Sequence, residues 1–412
     1  MRDKKPLRIS YALAVYGTEE RAAVEKVFSD PLKIAPGYAV REFERKIARL
    51  FGKKHGVMVN SGSSANLLAV EALALPKGAE VITPALTFAT TVAPLVQNGL
   101  TPVLADVEAG TYQINVGEAA SRITSRTEAL MIPSLIGNLP DFAGLRAIAR
   151  KHHLAFIEDS CDTLGATFAG KPTGFYSDIS TTSFYASHII TAAGAGGMAC
   201  FRDPLLARRA LVMSSWGRDS SLFGVHEKSE DIAKRFAGKI DGKTYDAKYI
   251  FSEVGYNLQS SELNAAFALV QLKRLRIFSA TRKKNFAAIH AFFGRYEDFF
   301  ILPMQHALAD TPWMSFPITI RPGAPFSRRE ITEYLERENV QTRPIFTGNI
   351  LCQPGFVRVL EKKNADGRFP VADVIMDNGF LIGCHQGIGP DHLKRLTAVL
   401  GAFLNKYRSA GR

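Results

Sequence analysis

The chain has little cysteine and no cysteine pair at short spacing. Its four cysteines are Cys161, Cys200, Cys352 and Cys384, and none of them belongs to a CxxC motif. This spacing is not typical of a disulfide framework or of a local zinc site. We therefore expect a reducing compartment.

Long apolar runs are also missing. No stretch of 18 apolar residues occurs, so the sequence predicts no transmembrane helix and no membrane partner. The basic start of the chain is followed only by the short apolar segment 11–16, which is too short for the core of a secretory signal. We expect a cytoplasmic protein.

Acidic residues are the minority among the charges. The chain has 39 Asp and Glu against 51 Lys and Arg, which gives a formal charge of +12. The basic residues are dispersed among acids and no familiar nucleic-acid-binding module occurs, so we expect no nucleic-acid partner. The phosphates of a small substrate explain the sign equally well.

The 412 residues suffice for two or three domains, and 46% hydrophobic with 22% charged residues is typical of globular proteins. Between about residues 41 and 201, helical patterns alternate with short apolar runs. This alternation predicts an α/β fold with a mainly parallel seven-stranded sheet flanked by helices. The predicted strands are Gly56–Val59, Val81–Ile82, Val103–Val107, Ala129–Leu135, Leu154–Ile157, Thr182–Tyr185 and Met198–Phe201.

The second half of the chain has a different residue pattern. Residues 217–250 are polar and charged, which indicates a long excursion from the core. Helical spacing from Ser260 to about Tyr296 predicts a helix that bridges two lobes. Strand and helix patterns then return. We predict a large domain of residues 1–275, including the excursion, and a small C-terminal α/β domain of residues 276–412.

A serine-rich turn follows the first predicted strand. The segment Asn60-Ser61-Gly62-Ser63-Ser64-Ala65-Asn66 stands between a strand and a helix, where unpaired N–H groups and the helix dipole favour an anion such as phosphate. An ordinary serine cap after a tight turn explains this segment equally well.

Two further segments place polar groups at strand ends. Phe156-Ile157-Glu158-Asp159 ends in a carboxylate at the sheet edge where such folds bind ligands. That acid suits a pyridinium nitrogen, although a helix cap or a salt-bridge partner is an alternative. Ser183-Phe184-Tyr185-Ala186-Ser187-His188 leaves a strand and places His188 in a loop.

These segments, in this order, resemble the DegT/DnrJ/EryC1/StrS sugar aminotransferase family over nearly the whole chain. The resemblance implies fold type I of the pyridoxal phosphate (PLP) dependent transferases and a homodimer with shared sites. The implied cofactor-binding residues are Gly62, Ser63, Ser64 and Ser183 for the phosphate, Phe88 and Asp159 for the ring, Asp162 beside them, and Asn257 reaching the neighbouring subunit's site.

The departure from that family lies at the cofactor lysine. Its aminotransferases carry lysine where this chain has His188. Imidazole lacks a primary amine for a Schiff base but suits proton transfer near neutral pH. The swap resembles the branch of 3-dehydratases that use pyridoxamine phosphate (PMP), which implies His188 as the catalytic base.

The same branch implies the substrate and its contacts. The expected substrate is a nucleotide-linked 4-keto-6-deoxyhexose that loses its C3 hydroxyl. Segments resembling the CDP-sugar enzymes of the branch imply that the substrate-binding residues are Arg218, Arg343, Phe346 and Asn349.

The source of electrons follows from the cysteines. The CDP-sugar enzymes bind a [2Fe-2S] cluster through one cysteine beside the Glu-Asp pair and three in the loop after Trp-Gly-Arg-Asp. Here Cys161 is present, but the loop begins Ser220-Ser221-Leu222 and has no cysteine. One thiolate cannot hold a cluster that needs four ligands. We expect no cluster, no metal, and PMP restored from glutamate as amino donor.

Two other functions remain compatible with the sequence. In one, a separate reductase feeds electrons to the intermediate. In the other, the protein is catalytically inactive and binds PLP or a nucleotide sugar. An ordinary aminotransferase is disfavoured by His188. The nucleotide base, whether CDP, TDP or GDP, does not follow from the sequence.

Overall fold

The short apolar runs of the first half of the chain form one sheet. The computed structural model describes residues 7–224, 230–364 and 368–409. In these residues the strands of the sheet lie in the order β1-β9-β8-β5-β4-β2-β3. Their bounds in chain order are His55–Val59 (β1), Glu80–Pro84 (β2), Thr101–Ala105 (β3), Thr127–Pro133 (β4), Ala155–Asp159 (β5), Ile179–Ser183 (β8) and Gly197–Phe201 (β9).

The sheet is mainly parallel. Strands β3, β2, β4, β5 and β8 pair in parallel, whereas β9 runs antiparallel to both β8 and β1. Both faces are covered, because every residue of β2, β8 and β9 is buried. The predicted seven-stranded α/β sheet is confirmed. The predicted strand Thr182–Tyr185 is displaced, because the strand ends at Ser183 and Tyr185 begins the following turn.

Helices cover the two faces of this sheet. Helix α3 begins directly after β1 with Ser61 as its cap, and its apolar residues Leu68 and Val70 pack in the core beneath the strands. The helices of this part are Thr18–Phe28 (α1), Tyr38–Leu50 (α2), Gly62–Leu73 (α3), Ala89–Gln97 (α4), Val116–Ser121 (α5), Phe142–Lys151 (α6) and Pro204–Ser214 (α7). Thr167–Phe168 (β6) and Lys171–Pro172 (β7) form a three-stranded sheet with the later strand Ala309–Asp310 (β13).

The excursion after α7 contains only short elements. They are Ile232–Arg235 (α8), Lys239–Ile240 (β10) and Lys243–Thr244 (β11), with short 3-10 turns at Asp219–Phe223 and Ala247–Tyr249. Residues 225–229 of the predicted excursion lie outside the described residues, as do residues 1–6 and 410–412 at the outer ends of the predicted domains.

One long helix joins the two cores. Helix α9, Glu262–Phe293, packs Ala265, Ala268 and Phe278 with the large sheet, and its last turns enter the core of the second lobe. The predicted boundary at residues 275 and 276 falls inside this continuous helix and stays a prediction. No described helix is both long enough and apolar enough to cross a membrane.

The second lobe has its own antiparallel sheet. Its strands lie in the order β12-β14-β16-β15, and all neighbours are antiparallel. Ile9 of the N-terminal segment pairs with Val340 of this lobe. The strands are Phe300–Ile301 (β12), Ser315–Ile320 (β14), Thr342–Pro344 (β15) and Gly379–Gly383 (β16), and the helices are Arg328–Arg337 (α10), Pro354–Asn364 (α11), Pro370–Asn378 (α12) and Pro390–Ser409 (α13).

Candidate active site

The N-terminus of α3 opens into a cavity at the carboxyl edge of the large sheet. Ser61 caps the helix, since its Oγ accepts a hydrogen bond from the Ser64 N–H at 3.1 Å. Ser63 is exposed and its Oγ donates to Thr90 Oγ1 at 3.0 Å. The first turn of this helix therefore presents backbone N–H groups and a hydroxyl to an anion.

A close approach of two segments shapes the floor of this anion site. A Cβ placed on Gly62 would lie 2.6 Å from Ser183 Cβ and 2.8 Å from Cys161 Sγ. Glycine is therefore required for the helix to begin this near to the end of β8. The approach brings the Ser183 hydroxyl beside the helix N-terminus.

Asp159 stands at the end of β5 with three donors around it. Its Oδ2 accepts from Asn66 Nδ2 at 2.8 Å and from Thr91 Oγ1 at 2.7 Å, and its Oδ1 accepts from the Cys161 N–H at 3.1 Å. The side chain is buried at 5% exposure. These bonds fix the direction in which the carboxylate faces the cavity.

The cavity has a volume of about 450 Å³. It lies between the carboxyl ends of the strands of the large sheet and the second lobe. Nine residues predicted for the site line it, namely Gly62, Ser63, Phe88, Asp159, Asp162, Ser183, His188, Arg343 and Phe346.

His188 and Asp162 face one another across this cavity. His188 Nδ1 lies 4.0 Å from Asp162 Oδ1, is buried, and has no hydrogen-bond partner in the described part of the chain. Asp162 Oδ2 accepts from the Ile136 N–H at 2.8 Å. His188 also lines the cavity, so its ring borders the space in which a bound molecule would lie.

Burial sets the protonation of this pair. It lowers the pKa of His188 to about 4, with the Arg282 charge acting in the same direction, so the imidazole is neutral at pH 7. Burial also raises the pKa of Asp162 to about 7, assisted by the nearby Asp159 charge. At pH 7 the imidazole is therefore in the unprotonated form that a general base needs.

Aromatic rings form the opposite wall. Phe88 caps α4 and is 48% exposed, and its ring meets that of Phe346 edge-on at 5.6 Å. Thr347 ties the two loops together, because its Oγ1 donates to the Thr87 carbonyl at 2.6 Å. A flat ring placed in the cavity would contact these faces.

Four predicted residues do not line the cavity. Ser64 donates to Asn60 Oδ1 at 2.6 Å within the turn. Asn349 uses its side chain internally, accepting from the Leu351 N–H at 3.0 Å and donating to Asp373 Oδ1 at 2.7 Å. Arg218 stacks on Trp216, 4.3 Å from the ring centroid, on the excursion. Asn257 is exposed beside it, where it pairs with Ser215.

The cavity also contains residues that were not predicted for the site. They include Tyr11 from the N-terminal segment, Asn66, Thr91 and Tyr185. Asn66 and Thr91 lie in helices one turn past the strand ends, so their spacing after β1 and β2 was an available signal. No sequence pattern pointed to Tyr11, because the N-terminal segment is held at the cavity by its pairing with the second lobe.

The residues present fit a phosphorylated pyridine cofactor. The N-terminus of α3 beside Ser183 offers donors to a phosphate, Asp159 offers an acceptor for a ring N–H, and Phe88 offers an aromatic face. Among the described residues that line the cavity there is no lysine.

Comparison with known proteins agrees with this arrangement. The model of the DegT/DnrJ/EryC1/StrS aminotransferase family matches residues 15–400. The chain is 37% identical over 402 residues to dTDP-4-dehydro-2,6-dideoxy-D-glucose 3-dehydratase of Saccharopolyspora spinosa, covering 95% of this chain and 86% of that protein. It is 29% identical over 407 residues to GDP-4-keto-6-deoxy-D-mannose 3-dehydratase of Yersinia pseudotuberculosis, covering 96% and 99%.

A solved structure shows the same fold. The E. coli GDP-4-keto-6-deoxy-D-mannose-3-dehydratase with bound hydrated PLP matches with a TM-score of 0.82 at 28% identity, covering 96% of this chain and 100% of that one. The expected fold class, the α/β fold of PLP-dependent transferases, is confirmed. The chain belongs to the DegT/DnrJ/EryC1/StrS aminotransferase family, and within it the chain is similar to 3-dehydratases.

Proposed function

We propose that the chain is a PMP-dependent 3-dehydratase that removes the C3 hydroxyl from a nucleotide-linked 4-keto-6-deoxyhexose. The observation that supports this most strongly is a neutral, nearly buried histidine that lines a cavity whose described wall has no lysine. An aminotransferase of this family needs a primary amine at that place. The 3-dehydratases to which the chain is similar fit the same activity.

Several residues would hold the cofactor. We assign the phosphate to the N-terminus of α3 with Ser63 and Ser183, and the ring nitrogen to Asp159. Phe88 would cover one ring face and Asp162 would lie beside the ring. When bound, PMP would supply an amine for condensation with the C4 ketone and a protonated ring that can take up the electron pair left by loss of the C4′ proton and return it as hydroxide leaves C3.

His188 would move the proton. Its neutral imidazole would accept the proton lost from the C4′ carbon of a bound cofactor, in the cavity that Phe88 and Phe346 also line. Arg343 is exposed at the cavity, close to Tyr11, and suits a sugar-nucleotide phosphate. Glutamate would then restore PMP.

We also propose a homodimer with shared sites. The segment 216–257, which includes the excursion, carries exposed Trp216, Phe251 and Val254 next to Arg218 and Asn257. Exposed apolar groups beside unused polar groups are typical of an interface. In the dimer, Asn257 would reach the partner's cofactor phosphate and Arg218 the partner's substrate.

The activity is tested with the full chain, PLP, glutamate and each 4-keto-6-deoxy nucleotide sugar in turn, with mass spectrometry of the products. We expect loss of the C3 oxygen in a glutamate-dependent reaction. An amino sugar that keeps its C3 hydroxyl would instead identify an aminotransferase. Ligand binding without any turnover would identify a binding protein.

The role of His188 has its own test. His188→Asn should lower the rate by about 10³-fold while PMP still binds, because general acid–base groups contribute about 10²–10⁴. Borohydride should fix no phosphopyridoxyl group on a lysine of the native chain, whereas His188→Lys serves as the positive control. Retained turnover in His188→Asn would show that another group acts as the base.

The iron content of the protein tests the source of the electrons. No group of three or more metal-binding side chains occurs in the described residues, and burial raises the pKa of the Cys161 thiol well above its usual value. After anaerobic reconstitution we expect no stoichiometric iron or acid-labile sulfide. Two irons per chain would contradict this expectation and would support the reductase-coupled route.

A further inference from the structure

Arg282 lies at the junction of the two lobes with its guanidinium fully buried. It belongs to α9 and has 0% exposure. Its Nη2 donates to the His188 carbonyl at 3.3 Å, and its Nη1 donates to the Trp313 and Met314 carbonyls at 3.3 and 2.7 Å. Its Nε donates to Gln386 Oε1 at 2.7 Å.

All four acceptors are neutral. The other groups that act on the Arg282 charge are Tyr11 and Cys384, and burial raises the pKa of each to about 12, so both are uncharged at pH 7. A buried cation that forms no ion pair within the described residues carries a desolvation cost that apolar side chains of similar volume would not. Packing alone does not explain an arginine here.

The bonds of Arg282 join three segments. The first is the loop that carries His188, the second is the entry to β14, and the third is the turn 384–388 after β16. Gln386 repeats the connection, because its Nε2 donates to the Ile189 carbonyl at 3.4 Å. Asn285, one turn along α9, donates to the Ile388 carbonyl at 3.1 Å.

We propose that Arg282 is a positioning residue for His188, because its guanidinium ties the backbone of the His188 loop to the second lobe and thereby couples the placement of the imidazole to the arrangement of the lobes. This inference rests on the proposed role of His188 as the base. The turn 384–388 also contacts the N-terminal segment beside the cavity, since His385 Nε2 bonds the Ser10 carbonyl at 3.0 Å, next to Tyr11.

The charge of Arg282 acts on the imidazole as well. Burial is the larger cause of the low pKa of His188, and Arg282 is the second. The other titratable groups around the ring are Asp162, Cys161 and Tyr185, with Asp162 Oδ1 at 4.0 Å from Nδ1 and the Tyr185 ring centroid at 6.3 Å. Loss of the cation should therefore raise the pKa of His188.

The test follows the His188 ring in the full chain, with and without PMP. Histidine ring signals are recorded by NMR across pH, and His188 is assigned as the signal that disappears in His188→Asn. The variants are Arg282→Met and Arg282→Lys, and the matched control is Arg276→Met, an exposed arginine on the same helix. Sugar turnover and PMP affinity are measured in parallel.

In Arg282→Met we expect the His188 titration to move up by about one pH unit, as for loss of a nearby like charge. Arg282→Lys keeps the charge but not the fork of donors, so the ring signal should move and turnover should fall about tenfold with PMP affinity unchanged. Arg276→Met should leave the His188 signal in place.

An unchanged His188 signal and titration in folded Arg282→Met and Arg282→Lys would overturn the proposal. If neither variant folds, Gln386→Met decides, because it removes one acceptor of Arg282 and the bond to Ile189. A displaced His188 signal is then expected, and an unchanged one overturns the proposal. The NMR result needs no sugar, so the positioning role stands or fails separately from the proposed dehydration.

Discussion

The strand ends of the large sheet and the segment 216–257, which includes the excursion, hold their polar side chains in opposite ways. At the strand ends, Asp159 is buried and accepts three hydrogen bonds from its own chain. In the segment 216–257, Asn257 is exposed and lies near Val254, which is 95% exposed, and Phe251, which is 57% exposed.

The difference indicates what each region needs. The strand ends are fixed by the register of buried parallel strands, so one chain suffices to arrange them. The segment 216–257 leaves apolar side chains exposed to water beside polar ones, which is typical of a surface that meets another protein. Under the proposed homodimer, its contribution to a site would come from the second copy.

Subunit mixing tests this difference most strongly. His188→Asn and Asn257→Ala should each be inactive as homodimers. In a heterodimer, one site receives both defects and the other receives neither, because His188 and the partner's Asn257 would meet in one cavity. Turnover should therefore return, to about half per heterodimer at most. The measurement is turnover of the purified heterodimer, isolated by two different tags.

Proof of subunit exchange is the control for this experiment. Isolated heterodimers that remain as inactive as both parents would show that Asn257 acts within its own chain. A monomer with full activity would contradict the shared site altogether.

At the strand ends the largest expected effect concerns pH. Burial raises the pKa of Asp162 from 3.8 to about 7. Between these values the folded chain holds a proton that the unfolded chain has lost, so this group's contribution to the free energy of unfolding falls as pH rises from about 4 to about 7. Asp162→Asn cannot ionise and still accepts from the Ile136 N–H. It should gain stability over the native chain with rising pH, by roughly 4 kcal/mol at most.

Denaturant unfolding of both proteins at pH 5 and pH 8 measures this gain, and other titrating groups cancel in the difference. A difference that stays constant across pH would show that Asp162 is ionised in the folded chain throughout.

The strand ends were also the part that sequence could predict. The strands are short apolar runs, so their ends can be predicted to within about two residues, and parallel strands bring those ends to one edge. Ser63, Asp159, Ser183 and His188 accordingly line one cavity. Their roles stay predictions.

The loops were less predictable because their side chains have competing partners. Asn349 was predicted at the substrate, but the structure commits it to Leu351 and Asp373. Tyr11 and Arg282 were missed, because their positions depend on long-range packing between the N-terminal segment, α9 and the second lobe. No local pattern records such contacts.

A glycine exchange measures how closely the strand ends are fitted. In Gly62→Ala the new Cβ meets Ser183 and Cys161 at less than 3 Å. Such crowding costs about 1–3 kcal/mol, so PMP affinity should fall about 10- to 100-fold. Gly401→Ala is the matched control, since nothing lies within 4 Å of its Cβ and it belongs to α13. Equal PMP affinity in both variants would show that the phosphate does not bind at the N-terminus of α3.

The smallest effect is expected at Asn349, which belongs to the loop side of the comparison. It begins the turn Ile350–Cys352 and binds Asp373 of α12, so Asn349→Ala should lower the free energy of unfolding by about 1–2 kcal/mol through loss of the cap and of a buried bond. Asp373→Ala removes one of the same bonds and should cost less. PMP affinity should be unchanged in both variants, because the phosphate and ring contacts lie on the large sheet. A loss of sugar affinity in Asn349→Ala with unaltered stability would instead show that Asn349 turns toward the substrate, and the loop would then resemble the strand ends in being built for binding.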